Sequence, residues 1–261
     1  MSERTVFMPG SRLRVDPMAP SDGSHRGGLH PVTALLEETV RHFADLGFSP
    51  REAPELEDAW FTFDLLGVPA DHPTRTSART FYTVDGALLR SHMTSSALRV
   101  LRGGTGARRF TVAGACHRNA VPSARIVHQF HQVEAVAVGP AVRISDLTGL
   151  VLGYVAAALG SGVEARLRFR SLPYVSPGLA VDVPCTACRT VGCELCRGSG
   201  QVEVIGGGLL TAAVLRAAGL PPQLRAVALA VSLERVLAVR HGLGDIRHFL
   251  RNDPRVLNQF R

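Results

Sequence analysis

The sequence predicts an α+β fold: an antiparallel sheet flanked by helices, with a small cysteine-rich insert. Three observations carry that expectation. Six runs read as strands and are not separated by a regular succession of crossover helices. Four segments carry apolar residues at helical spacing and each stops at a glycine. Four of the five cysteines fall in one short stretch, CTACRTVGCELC at 185–196.

Residues 1–28, rich in Ser, Gly, Pro, Met and Arg, read as an N-terminal arm, and 29–261 as the domain that contains the insert at 184–200. The arm holds no apolar run long enough for a signal peptide or a membrane span, so a cytoplasmic protein without membrane contact is expected. The first helix runs from Pro31 to Leu46, with Val32, Leu35, Leu36, Val40, Phe43 and Leu46 on its core side and Gly47 ending it. Strands are expected at Leu88–Arg90, Arg109–Ala115, Val127–Val138, Ala165–Phe169, Val202–Ile205 and Ala226–Val231. Ser145 and Asp146 are placed to cap a second helix to Leu159 before Gly160. A third spans about Leu209–Ala218 ahead of Gly219, Pro221 and Pro222, and a fourth Ser232–His241 ahead of Gly242. The glycines of Ile205–Gly208 read as the opening of a helix, without the spacing of a dinucleotide fingerprint.

The net charge of +7 comes from arginine alone, because the chain contains no lysine. That excludes a lysine Schiff base, a pyridoxal phosphate lysine and a Walker-type phosphate loop. The densest charge lies at Arg108-Arg109 and at Arg166, Arg168 and Arg170. Such a surface attracts nucleic acid or phosphorylated ligands, and an arginine-biased genome accounts for it equally well.

Cys185, Cys188, Cys193 and Cys196 form a C-x2-C-x4-C-x2-C array. Each pair brings two thiolates from one turn to the same metal, and two pairs complete a closed four-sulfur shell suited to structural zinc. Two disulfides or free thiols are the competing outcomes. Cys116 stands apart and reads as a buried small apolar residue.

In HQFHQVEAV, residues two apart share a strand face, which aligns His128, Phe130, Gln132 and Glu134. A carboxylate beside an amide suits an α-ammonium group, and a solvated strand face is the plainer reading. Arg118, in the preceding GACHRNA, is placed to reach the same pocket and to hold a phosphate or carboxylate; a surface turn would also account for it.

Over nearly the whole chain these segments resemble the α subunit of phenylalanyl-tRNA synthetase, a class II aminoacyl-tRNA synthetase. The likeness rests on GLHPVT at 28–33, LGF at 46–48, PELED at 54–58, FDLLGVPADHPTR at 63–75, TFY at 80–82, LLRSHMT at 88–94, FHQVEAVAVG at 130–139, GSGQVEVIGGG after the cysteines, and HGLGDIRHFLRNDPRVLNQF at 241–260. The cysteine insert looks like the version found in some bacterial members. The resemblance implies a class II antiparallel sheet and a reaction that joins an amino acid to the ATP α-phosphate before transfer to tRNA. By the same likeness, His92 and Thr94 match contacts to the amino acid, Gln132 and Glu134 its ammonium site, and Arg118 the motif 2 arginine on the α-phosphate and carboxylate. Glu203 matches an acidic residue near ATP and Mg2+, and Arg235 the motif 3 arginine on the γ-phosphate.

Several positions depart from the family pattern. Ala120 replaces the acidic residue that reads adenine, Ile126 a loop histidine, and LAVS at 229–232 the glycine-rich FGxG. The side-chain pocket changes too: LPYVSP stands for FPFxEP, so Leu172 and Tyr174 replace stacking phenylalanines and Ser176 a glutamate, and Ala97 replaces a glutamine. The family's N-terminal coiled coil has no counterpart in the short arm, so a grip on tRNA is not expected.

Three functions follow. The first is an ATP-dependent amino-acid ligase, a divergent stand-alone paralogue that passes the activated amino acid to an acceptor other than tRNA, in specialised metabolism. The second is a non-catalytic amino-acid-binding or regulatory protein with a degraded ATP site. The third is a phenylalanyl-tRNA synthetase α subunit working with a β subunit. Class II cores pair through the motif 1 helix, so a homodimer through 31–46 is expected.

Overall fold

In the computed structural model, which describes residues 18, 27–104 and 108–260, seven strands form one sheet in the order β1-β4-β5-β9-β8-β7-β6. They are β1 Ser49–Arg51, β4 Arg109–His117, β5 Gln129–Gly139, β6 Arg166–Phe169, β7 Val175–Pro184, β8 Gln201–Leu210 and β9 Arg225–Ser232. Every pair is antiparallel except β1 with β4, which is parallel. The short strands β2 Leu56–Glu57 and β3 Leu88–Leu89 pair separately. Of the expected N-terminal arm, all but residues 18, 27 and 28 lie outside the described residues.

Period-two alternation splits the apolar residues of the sheet between its faces. Val133, Ala135, Val227, Leu229 and Val231 point to one side and pack against α1 (Pro31–Asp45), α3 (Ile144–Leu159) and α5 (Leu233–His241). Phe110, Val112, Val136, Ala226 and Ala228 point to the other, against α2 (Met93–Arg102) and α4 (Ala212–Ala217). Phe43 of α1 stacks on Tyr154 of α3 with ring centroids 5.7 Å apart, and the Tyr154 hydroxyl meets Thr39 at 2.9 Å. The ring buries its body and satisfies its polar tip.

Some local expectations are corrected. The Ile205–Gly208 glycines sit in mid-strand, because β8 continues to Leu210 and Thr211 caps α4. The Gly207 Cα abuts the neighbouring strand: a Cβ there would meet the Ala228 carbonyl oxygen at 2.3 Å. Arg143, rather than Ser145, is the N-cap of α3, and its N–H donates to the Asp146 Oδ2 at 2.8 Å. Strand β7 gives no strand signal because SPGLAVDVP opens with turn-forming residues, and α2 no helix signal because MTSSALRVLR carries Thr and Ser in its first turn. No described helix is long and apolar enough to cross a membrane.

Gly207→Ala should therefore force β8 and β9 apart. The expected cost is about 1–3 kcal/mol, read as a lowered urea midpoint with an unchanged far-UV spectrum.

Candidate functional site

The α2 face of the sheet carries the predicted polar residues. Gln132 and Glu134 project from the same face of β5 toward the first turn of α2. There the Met93 N–H donates to Gln132 Oε1 at 3.1 Å and the Thr94 hydroxyl to Glu134 Oε2 at 2.8 Å. His92 is the α2 N-cap, its Nδ1 accepting the Ser95 N–H at 3.4 Å. Its sequence spacing thus serves the helix end, where unpaired N–H groups need an acceptor. Beyond Glu134 the register runs to Ala230 on β9 and on to Gly206 on β8, so the floor beside the carboxylate carries almost no side-chain bulk.

Glu134 is 1% exposed, and burial pushes it up to about 7 against the opposing Thr94 bond. Burial, then the Arg118 charge, holds His92 down at about 4, so it is neutral at pH 7. Tyr174 is raised to about 12 by burial and next by the Glu134 charge, which places its hydroxyl within the field of that carboxylate. Leu172 and Tyr174 pack on the apolar cluster that includes Ala97, Met93 and Val136.

Three arginines of the β4–β5 loop and α5 have no carboxylate partner among the described residues. Arg118 donates to the Ser91 carbonyl at 3.2 Å and lies over the Phe130 ring at 4.8 Å. Solvent reaches it, yet enough protein surrounds it that desolvation lowers its pKa, as at the wall of an open cleft. Arg235 donates to the Glu203 carbonyl at 3.2 Å; burial, then the Arg125 charge, draws it down to about 10. The third is Arg125, which the sequence reading did not single out. It is the one charge between Val121 and Val127, the segment that joins the two strands bearing the predicted residues. By contrast, the Glu203 carboxylate is occupied: Arg168 holds Oε2 at 3.0 Å and Arg170 holds Oε1 at 2.6 Å. Arg168 also grips Asp182. The i, i+2 spacing of Arg168, on β6, and Arg170, just beyond its end, foretells their shared face.

The four cysteines lie apart from this floor, in the turn between β7 and β8. Their sulfurs approach to 3.8 Å for Cys185–Cys193, 3.8 Å for Cys188–Cys196 and 3.7 Å for Cys193–Cys196. A tetrahedral ion with bonds of about 2.3 Å requires sulfurs about 3.8 Å apart. The spacing therefore fits zinc, and all four thiols are free of disulfides. The Gly192 N–H donates to Cys188 Sγ at 3.2 Å and the Cys193 N–H to Cys196 Sγ at 3.1 Å, bonds that favour thiolates. At Gly200, φ is +71° and a Cβ would meet the Thr190 carbonyl oxygen at 2.4 Å, so the turn closes only with glycine.

A family model described as the tRNA synthetases class II core domain (F) matches residues 14–260. The chain is 38% identical over 250 residues to the phenylalanine–tRNA ligase alpha subunit of Chlamydia abortus, covering 95% of this chain and 73% of that protein. It is 34% identical to the Geobacter metallireducens alpha subunit, over 95% and 74%. Among solved structures, pyrrolysyl-tRNA synthetase from Desulfitobacterium hafniense superposes with a TM-score of 0.65 at 19% identity, over 86% of this chain and 75% of that one, which shows the shared fold.

Glu134 makes stability depend on pH. Its folded pKa near 7 lies above the ordinary carboxyl value of 4.5, so between these the native state keeps a proton that the unfolded state releases. Stability should fall by up to about 3 kcal/mol as pH rises from 4.5 to 7 and then level off. Glu134→Gln should flatten that slope in urea titrations at stepped pH.

Proposed function

Because this chain belongs to the class II tRNA synthetase core-domain family, among relatives of the phenylalanine–tRNA ligase alpha subunit, we propose that it is an amino-acid-activating catalytic core of that type. It joins an amino acid's carboxylate to the α-phosphate of ATP and releases pyrophosphate. The observation that carries this reading is the pairing of one buried carboxylate, Glu134, with arginines that lack a protein counter-ion. A zwitterion beside a polyphosphate complements that distribution of charge.

In this reading the amino acid lies on the floor beside Ala230 and Gly206. Its ammonium group meets Glu134, which the added positive charge returns to the ionised state, and Gln132, while its side chain enters the pocket of Ala97, Leu172 and Tyr174. Arg118 bridges the carboxylate and α-phosphate. As the carboxylate oxygen attacks phosphorus and the bond to pyrophosphate breaks, Arg118 stabilises the crowded phosphorus oxygens, and Arg235 the departing pyrophosphate. Magnesium would supply further neutralisation of the phosphates, and Glu203 is the carboxylate placed to hold it once Arg168 and Arg170 move to phosphate oxygens. His92 positions the first turn of α2 and so the Thr94 hydroxyl.

The acceptor is tRNA, after the relatives that are named for it. Those relatives are alpha subunits, so a β-type subunit is the expected partner; pairing of two copies through α1 is the other assembly. A cytoplasmic location accords with this role. The altered residues Leu172, Tyr174, Ser176 and Ala97, with Ala120 in the β4–β5 loop, carry the second reading, a divergent enzyme that passes a different amino acid to an acceptor other than tRNA. The cysteine knuckle holds zinc in a structural role, since four thiolates leave no coordination position for substrate.

Amino-acid-dependent exchange of labelled pyrophosphate into ATP is the direct test. One or a few amino acids should support it, and Arg118→Ala and Arg235→Ala should each slow it by roughly 10²–10³-fold. No exchange with any standard amino acid, with or without a β-type subunit, would refute activation; charging of tRNA then separates the two acceptors. For the knuckle, Cys188→Ser should abolish bound zinc in elemental analysis and lower Tm by about 5 °C or more, corresponding to 2 kcal/mol or so.

A further inference from the structure

The loop between β4 and β5 is clasped from two sides. Within it Ser123 forms a turn with Ile126, the Ser123 N–H donating to the Ile126 carbonyl at 2.8 Å, while its hydroxyl accepts the Arg125 and Ile126 N–H groups. On one side, the Ile246 N–H donates to the Ala124 carbonyl at 3.0 Å. On the other stands the cysteine knuckle. Glu194 Oε1 accepts the Ala124 N–H at 3.0 Å, and Arg125 Nη1 donates to the Leu195 carbonyl at 3.3 Å. Glu194 and Leu195 are the two residues between Cys193 and Cys196, so the metal-binding turn itself grips the loop. Ala124 and Leu195 are both buried at this junction.

We propose that Arg125 is a further phosphate-binding residue of this site, and that the cysteine knuckle positions it through Glu194 and Leu195. The proposal rests on the nucleotide reading above and extends it. A guanidinium with only one backbone acceptor keeps most of its donors unfilled, and phosphate oxygens suit its forked geometry. Its location agrees: the loop springs from β4 beside Arg118, Arg125 is the largest charge acting on Arg235, and Arg197, then Glu203 and Asp182, act on Arg125. Two neighbouring guanidinium groups, neither with a carboxylate partner among the described residues, mark the place of a polyanion.

Calorimetric titration with inorganic tripolyphosphate, and separately with a non-hydrolysable ATP analogue and magnesium, tests this on the zinc-loaded chain. Arg125→Ala should weaken both by about tenfold or more, Arg125→Lys should restore part of the loss, and adenosine binding should not change. Glu194→Ala, which keeps all four cysteines, should weaken tripolyphosphate binding while zinc content and the circular dichroism spectrum stay at wild-type values. Wild-type affinity in folded Arg125→Ala overturns the phosphate role, and wild-type affinity in Glu194→Ala overturns the positioning role, with the activation reading intact. Failure of the wild-type chain to bind either polyphosphate overturns the nucleotide reading itself, and this inference with it.

Discussion

Burial of the Glu134 carboxylate is the constraint to which the rest of the active face conforms. A desolvated carboxylate needs a donor close by, and the first turn of α2 supplies one through Thr94, while the neighbouring Met93 N–H engages Gln132. The strand therefore has to lie under the start of α2, and the His92 cap holds that start in place. Bulk beside the carboxylate would close the site, and the register puts Ala230 and Gly206 there. One hydrogen bond does not offset burial fully, so the group sits near neutrality until a cation arrives. In the function proposed above, that cation is the amino acid's ammonium group.

The arginines divide into two sets by their counter-ions. Arg168 and Arg170 are paired with Asp182 and Glu203 and fasten β6 to its neighbours. Arg118, Arg125 and Arg235 find only backbone carbonyls. Arginine has the widest margin among the basic residues: Arg235, even drawn down to about 10, remains a cation at neutral pH, whereas a lysine shifted as far would titrate at ~8, with about one unit to spare. The absence of lysine from the chain thus acquires a local meaning, because every cation at the site keeps its charge after desolvation.

What the sequence makes legible follows the range of the interaction involved. Gln132 and Glu134 are readable because strand alternation is local, and the cysteine array because its spacing is. The α+β class and the mainly antiparallel sheet are readable for the same reason, although the parallel β1–β4 pair leaves no local trace. Arg118 and Arg235 stand out only through resemblance to a family, since a lone arginine carries no periodic signal. Strand β7 and helix α2 are hidden by residues with poor intrinsic propensity that tertiary packing overrides, as the buried Val181, Val183 and Leu98 attest. Arg125 carries no signal in the sequence because its contact, Leu195, lies seventy residues away.

That distance changes the role of the knuckle. In sequence it lies between the pocket segment and Glu203, which suggests a pin between those two walls. The walls, however, belong to strands β7 and β8, already joined by a ladder from Gly178 to Pro184. The contacts the knuckle adds lie elsewhere: Thr186 donates to the Val239 carbonyl in α5, and Glu194 and Leu195 reach the β4–β5 loop. Its backbone places the non-glycine residues Arg189, Thr190 and Arg197 at positive φ, a shape that local preference disfavours. Four sulfurs converging on one centre can impose such a shape where apolar packing cannot, because each metal bond fixes a direction as well as a distance. The knuckle is thus better understood as a strut that ties the hairpin to the α5 helix and the β4–β5 loop, and the site inherits its rigidity from chemistry carried outside it.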